Sequence, residues 1–392
     1  MVSPGTVSRR LRLGMVGGGP GSLIGPVHRI AARLDDRFEL VAGALSSDRD
    51  RARQGAAEVH IAPDRSYDTW QAMVAAEAAR PDRIDVVAIV TPNHLHHGPA
   101  KAFMEAGIDV ICDKPLTLNT AEAEDLVRVQ QQTGRIFGVT HTYAGYPMVR
   151  QARAMVAAGA IGRVRLVNVE YVQSWLTEPL EATGNKQAGW RTDPAFSGAG
   201  GCVGDIGTHA YHLASFVSGM LPDAICADLT AFAPGRKLDD NVHILMRYGS
   251  GARGMIWATQ VAPGNDNGIR VRIYGETGGI SWFQEQPNDL HFTRFGEAPQ
   301  RLGRAGVMLG GIPRPYEPRA AVGHPEGYLE AFAQLYTDMA EQMTARNEGR
   351  AAAPDSLQLA TIGEGLIGMR FIDAAIASSA QGGTWVSPDS AR

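Results

Sequence analysis

Short apolar runs alternate with helical periods through the first third of the chain. Leu11–Val16 is an apolar run that ends in Gly17-Gly18-Gly19, and Pro26–Leu34 follows with Val27, Ile30, Ala31 and Leu34 on one helical face. Glu39–Leu45, Ile84–Val90, Asp109–Cys112 and Ile136–Thr140 read as strands. Ile84–Val90 is almost wholly aliphatic, as in a parallel strand covered on both faces. Arg49–Val59, Ser66–Ala79, His96–Ala106 and Thr120–Thr133 read as helices, the last two stopped by Gly107 and Gly134. Repeated βα units of this length predict an α/β domain with a doubly wound parallel sheet.

The pattern changes near Tyr143. After one more helix, Val149–Ala158, the segments Val164–Tyr171, Ala224–Ala231, Asn241–Tyr248, Ala252–Ala262, Gly268–Gly275 and Gly279–Phe283 alternate apolar and polar residues. Alternation with glycine-rich turns predicts a large, mostly antiparallel open sheet with one covered face. Gly327–Thr344 and Leu357–Ser379 read as helices, and Arg301–Pro325 as a long loop. The expected division is a flexible tail over residues 1–10, a dinucleotide-binding domain over 11–142 and an α+β substrate domain over 143–392. The C-terminal helix is expected to pack back on the first domain.

Composition narrows the function classes. A chain of 392 residues with 44% hydrophobic residues can bury two cores, and a net charge of −4 gives no basis for nucleic-acid binding. No run is long and apolar enough to span a bilayer, and Met1–Arg10 has no apolar stretch behind it to make a secretory signal. The three cysteines, Cys112, Cys202 and Cys226, lack metal-ligand spacing and fit a reducing, cytoplasmic compartment.

The glycine turn after the first strand suits a pyrophosphate, because backbone N–H groups and a helix N-terminus meet there. Gly17, Gly19, Ser22, Leu23 and Ile24 are its candidate contacts. The spacing departs from G-x-G-x-x-G, since Pro20 to Ile24 precede the next glycine, Gly25. The second strand ends in Ala44-Leu45-Ser46-Ser47-Asp48-Arg49, with no acid at the position that would bond a ribose 2′-OH. Ser46, Ser47 and Arg49 suit a 2′-phosphate, which tips the cofactor, NAD(P), toward NADP; Ser46 and Ser47 as helix caps, and Asp48 in the acidic role, are the alternatives. Thr91-Pro92-Asn93 and His96 stand at the carboxyl edge of the next strand, where ligands bind. His94 and His97 share a helical face, but no third ligand follows them and no metal is expected.

Two elements carry candidate chemistry. Asp113-Lys114-Pro115 follows directly on Asp109–Cys112, which puts Lys114 at the carboxyl edge of the sheet, where an ammonium can stabilise a developing alkoxide. Farther on, Asp205 and His209 stand four apart after a glycine run, Gly198 to Gly204. A histidine beside a carboxylate is an acid/base pair for alcohol–ketone interconversion. Tyr143, Trp190, Arg191 and His324 are candidates to line the site: Trp190 as a stacking face for a sugar, Arg191 as a hydroxyl or carboxylate ligand, Tyr143 and His324 by position.

Taken in order, the glycine turn, Thr91-Pro92-Asn93, Asp113-Lys114-Pro115 and Asp205…His209 resemble the glucose–fructose oxidoreductase / inositol dehydrogenase / MocA-type (Gfo/Idh/MocA) family, from about Leu11 to Trp385. The family typically has Glu-Lys-Pro where this chain has Asp113. The resemblance implies a Rossmann-type first domain, and a second domain whose sheet makes homodimer or homotetramer contacts. It implies that Lys114 polarises the reacting hydroxyl, His209 exchanges the proton and Asp205 binds a neighbouring hydroxyl. The cofactor contacts expected with it extend to Asp113, Lys114, Tyr143, Trp190 and Arg191. The expected activity is hydride transfer between nicotinamide and a carbinol carbon of a sugar, glycoside, anhydrosugar or inositol. The alternatives are a nucleotide-binding regulator without turnover, and an enzyme that recycles a tightly held cofactor.

Overall fold

A computed structural model describes residues 9–309, 311–321 and 323–389 of the chain. Strand β1 (Leu11–Gly17) pairs in parallel with β2 (Phe38–Ala44) on one side and β3 (Val86–Val90) on the other. Strands β4 (Asp109–Cys112) and β5 (Phe137–Val139) extend the sheet in the order β2-β1-β3-β4-β5. Every residue of β3 and β4 is buried, which is why those segments carry no alternation. The crossovers are α1 (Gly25–Leu34), α2 (Arg49–Glu58) with α3 (Trp70–Ala79), α4 (His97–Glu105) and α5 (Thr120–Thr133). A parallel sheet wound this way is a Rossmann-type sheet, with ligand positions at its carboxyl edge.

Helix α6 (Pro147–Ala157) leads into the second sheet. That sheet holds β6 (Val164–Val172), β7 (Ala224–Thr230), β8 (Asn241–Arg247), β9 (Arg253–Thr259), β10 (Gly268–Gly275), β11 (Gly278–Phe283), β12 (Asp289–Arg294) and β13 (Gln300–Gly303). Its order is β13-β12-β11-β10-β6-β9-β8-β7, antiparallel except at the central pair β6 and β9. Three helices lie between β6 and β7: α7 (Lys186–Arg191), α8 (Pro194–Ser197) and α9 (Thr208–Ser218), the last buried against the covered face. Met308–Leu309 (β14) and Ile312–Pro313 (β15) form a small hairpin. The chain ends in α10 (Tyr328–Glu348), which packs on α1, and α11 (Ile362–Ala380), which packs on α5 and β7. Both closing helices therefore lie against first-sheet helices.

Several boundaries differ from the sequence reading. Residues 1–8 of the expected tail lie outside the described residues; Arg9 and Arg10 pair with Asp85 and Asp36. The helix expected from Ser66 starts at Trp70, because Ser66 is extended beside Gly43 and Thr69 caps the helix through Ala72 N–H. The helix expected from Leu357 breaks into a short turn, Pro354–Gln358, and α11, where Thr361 and Glu364 form a capping box. The long loop is partly strand, since β13 pairs with β12; residues 310 and 322 of it lie outside the described residues. No helix among the described residues is long and apolar enough to cross a membrane.

Candidate active site

The segment before α9 depends on Asp239. Its carboxylate accepts the N–H groups of Gly201 and Val203, each at 2.7 Å, and its carbonyl accepts that of Cys202 at 2.7 Å. A Cβ on Gly201 would collide with the same carbonyl, so only glycine allows this approach. The chain then makes one π-helical turn, Val203–Gly207, before α9, and this turn carries Asp205. Such turns recur at functional sites.

Lys114, on the loop that leaves β4, donates to the Asp205 carbonyl at 2.6 Å and to its carboxylate at 3.1 Å. Gln260 Nε2 donates to the other carboxylate oxygen at 2.9 Å, and Arg191 Nε lies 3.5 Å from it. Burial alone would raise the Asp205 pKa. The charges of Lys114 and Arg191, with the Lys114 hydrogen bond, outweigh burial and hold the carboxyl well below its usual range.

His209 lies one turn beyond Asp205 and is buried. Its ring stands edge-on to Tyr143 at 5.0 Å and to His141 at 5.7 Å, and its Nδ1 has no hydrogen-bond partner among the described residues. Burial, then the charge of Lys114, pushes its pKa well below the usual histidine value. A neutral imidazole beside a carboxylate and an ammonium is equipped to accept a proton.

Other sequence candidates occupy varied places. Tyr143 OH lies 2.5 Å from Tyr171 OH and accepts from Asn267 Nδ2 at 3.3 Å. Arg191 covers one face of Trp190 at 4.2 Å, so that face is taken. His324 is exposed, and its carbonyl accepts from Arg304 at 2.6 Å. The ring nitrogens of buried His96 lie 2.8 Å from Thr91 O and 2.9 Å from Pro115 O, tying two strand ends together. Asn93 donates to Ser197 O at 2.9 Å and ties the loop after β3 to the end of α8. Asp113 accepts from Thr140 Oγ1 at 2.6 Å and lies 3.1 Å from His28 Nε2. His97 pairs with Asp125 and His94 packs edge-on to Phe196.

A polar web that sequence reasoning missed borders Asp205. Gln173 donates to Asn267 at 2.6 Å and accepts from Trp175 Nε1 at 3.0 Å, and Tyr171 OH donates to Asn267 at 2.9 Å. Gln173 and Asn267 stand 94 residues apart, and in sequence each lone amide looks like any turn residue. His141 and His212, stacked at 4.1 Å beside His209, were missed as well.

The glycine turn fits a dinucleotide pyrophosphate. Gly17, Gly18 and Gly21 have positive φ, and a Cβ on Gly19 would stand 2.5 Å from Leu45 O. At the start of α1 the Gly25 N–H is taken by Ser22 Oγ at 3.1 Å, Pro26 has no N–H, and the His28 N–H is taken by Ile24 O at 3.1 Å. Two cations missed in the sequence brace the turn: Arg29 donates to Gly18 O at 2.6 Å and Arg51 to Pro20 O at 2.7 Å. Asp48 caps α2 through Arg51 N–H, Ser46 Oγ accepts from Asp48 N–H, and Arg49 pairs with Asp68 at 2.9 Å.

Comparison with known proteins agrees with this architecture. Residues 11–141 match the family model described as oxidoreductase family, NAD-binding Rossmann fold, and residues 149–281 match the Gfo/Idh/MocA C-terminal domain. The chain is similar to a structure of an oxidoreductase from Sinorhizobium meliloti, with 46% identity, a TM-score of 0.87, and 97% of this chain and 100% of that one covered. It is similar to an inositol dehydrogenase homolog from Azotobacter vinelandii complexed with NADH and myo-inositol, with 35% identity, a TM-score of 0.88 and coverage of 97% and 98%. Levoglucosan dehydrogenase of Pseudarthrobacter phenanthrenivorans is 28% identical over 96% of this chain and 98% of its own. The chain belongs to the Gfo/Idh/MocA oxidoreductase family, with an NAD-binding Rossmann domain followed by that family's C-terminal domain.

Proposed function

We propose that the protein is an NAD(P)-dependent dehydrogenase or reductase of a sugar, glycoside, anhydrosugar or inositol, acting at a secondary alcohol. The observation that carries this reading is the Lys114–Asp205 pair beside a buried, neutral His209. The bound oxidised nicotinamide would supply the acceptor for the hydride of the carbinol carbon. Lys114 donates to the reacting hydroxyl and favours its alkoxide, His209 takes the proton, and Asp205 accepts from a neighbouring hydroxyl. The amides of Gln173, Gln260 and Asn267 offer donors and acceptors in equal measure, which suits a substrate with several hydroxyl groups. Relatives that hold myo-inositol or are named for levoglucosan support the polyol class.

The residues that would hold the cofactor are Gly17, Gly19, Ser22, Leu23 and Ile24 at the pyrophosphate. Ser46, Ser47, Arg49 and Arg51 would stand at the adenosine ribose, and Thr91, Pro92, Asn93 and Tyr143 toward the nicotinamide. The lack of a carboxylate at the end of β2, with Arg51 at the turn, favours NADP over NAD. Assembly of a homodimer or homotetramer through the outer face of the large sheet, where Leu166, Leu245 and Tyr274 are exposed, completes the reading, in a cytoplasmic setting. Its test is incubation with NADP⁺ or NAD⁺ and a panel of inositols, pyranoses and anhydrosugars, following reduced nicotinamide by absorbance. Reduction with at least one polyol is expected; bound cofactor that stays oxidised across the panel contradicts it.

A further inference from the structure

His28, on α1, is fully buried and takes no part in the chemistry above, yet both of its ring nitrogens have partners. Nδ1 lies 2.7 Å from Tyr336 OH and Nε2 lies 3.1 Å from Asp113 Oδ1. Phe332 stands edge-on to the imidazole at 4.7 Å. Phe332 and Tyr336 both belong to α10, so a helix from the end of the chain locks the ring in one orientation. The ring is thus held between a hydroxyl at Nδ1 and a carboxylate at Nε2.

Asp113 is the residue next to Lys114. Its N–H donates to Ile89 O at 3.0 Å, and the carboxylate oxygen that meets His28 also accepts from Thr140 at 2.6 Å. The backbone is thus pinned one residue before the lysine stem. The titratable groups that face this carboxylate are His28 and His96, and its charge is also felt at His209, Tyr328, Tyr336 and Cys112. Burial alone would raise the Asp113 pKa; His28, Thr140 and His96 bring it down to about 2, so it stays ionised.

We propose that His28 is a positioning residue: held by α10, it anchors Asp113 and through it fixes the backbone from which Lys114 reaches Asp205. The proposal extends the dehydrogenase reading and rests on it only for its kinetic consequence. Replacing His28 by an apolar ring would leave Asp113 short of a donor in a buried place, where the carboxyl would protonate more readily and shift. Lys114 would then lose its fixed base, and small misplacements of a reacting group are expensive.

The experiment measures labelling of Lys114 by trinitrobenzenesulfonate, quantified by peptide mass on the full chain, in wild type, His28→Phe and His28→Gln. His28→Phe is expected to label several times faster, because the ammonium is less firmly held by Asp205. His28→Gln, which keeps an N–H donor, is expected to restore the slow rate. In turnover, His28→Phe should lower kcat by about ten- to a hundredfold, with KM little changed and activity recovering as pH rises and Asp113 ionises again. A folded His28→Phe that labels and turns over like wild type, or a His28→Gln that labels as fast as His28→Phe, overturns the proposal. Should His28→Phe fail to fold, Tyr336→Phe removes only the hydroxyl; faster labelling supports the proposal and the wild-type rate refutes it. Wild-type protein that oxidises no polyol would defeat the functional reading, while the labelling comparison would still decide the role of His28.

Discussion

Lys114, on the loop after β4 of the first sheet, donates to the Asp205 carbonyl at 2.6 Å and to its carboxylate at 3.1 Å, on the turn that leads into α9. One side chain thereby links the loop after β4 to the turn before α9. The contact pairs the ammonium with an acid 91 residues away in sequence.

Asp205→Asn keeps the shape and removes the charge. It should cost about 2–3 kcal/mol of transition-state stabilisation, roughly thirty- to a hundred-and-fiftyfold in kcat/KM, with cofactor affinity preserved. Steady-state kinetics with a cofactor-binding titration checks this; equal losses in binding and turnover would point to a structural role.

Acid should destabilise the fold through four buried histidines, His96 among them, whose pKa burial lowers. Burial pushes His141 and His209 well below the usual value and His212 to about 4. Unfolded histidines take protons near pH ~6.5, so below that the unfolded state binds more protons and stability falls with pH. The slope should approach about 1.4 kcal/mol per pH unit for each ring between roughly pH 6 and pH 4.5. His141→Phe, which can keep the stack on His212, should remove about one proton from the slope measured by denaturant unfolding; an unchanged slope would contradict the assignment.

Asp239→Ala should leave the N–H groups of Gly201 and Val203 without their acceptor. A loss of about 1–3 kcal/mol per unpaired group is expected, with kcat reduced and cofactor dissociation unchanged, because the glycine run that feeds Asp205 loses its clamp. Denaturant unfolding together with kcat reports both effects, and a variant with wild-type kcat would rule out a positioning role for this carboxylate.

Arg51→Ala should shift the cofactor ratio, lowering kcat/KM with NADP⁺ by about tenfold more than with NAD⁺. Equal losses with both cofactors would show that Arg51 braces the glycine turn through Pro20 O and does not discriminate.

Much of this architecture was legible because it is written in local periods. The aliphatic run of β3, the glycine after β1 and the alternation of β6 to β10 each reflect a single element and its burial. Lys114, Asp205 and His209 could be named from their motifs, and the structure joins the first two directly. The rest of the site is assembled by tertiary contact. Gln260 reaches Asp205 from 55 residues away and His28 reaches Asp113 from 85, and neither carries a local signal. The late start of α3 shows local chemistry overriding pattern: Thr69 caps the helix, and the apolar period read through it.

The account turns on Lys114, and Lys114→Met tests it most directly because methionine keeps the length of the stem and removes the ammonium. Reduction of cofactor by the best polyol should fall by about a thousandfold or more, while the dissociation constant of the cofactor, read by fluorescence titration, stays within a few-fold of wild type. A folded Lys114→Met that turns over at the wild-type rate would contradict the proposed chemistry.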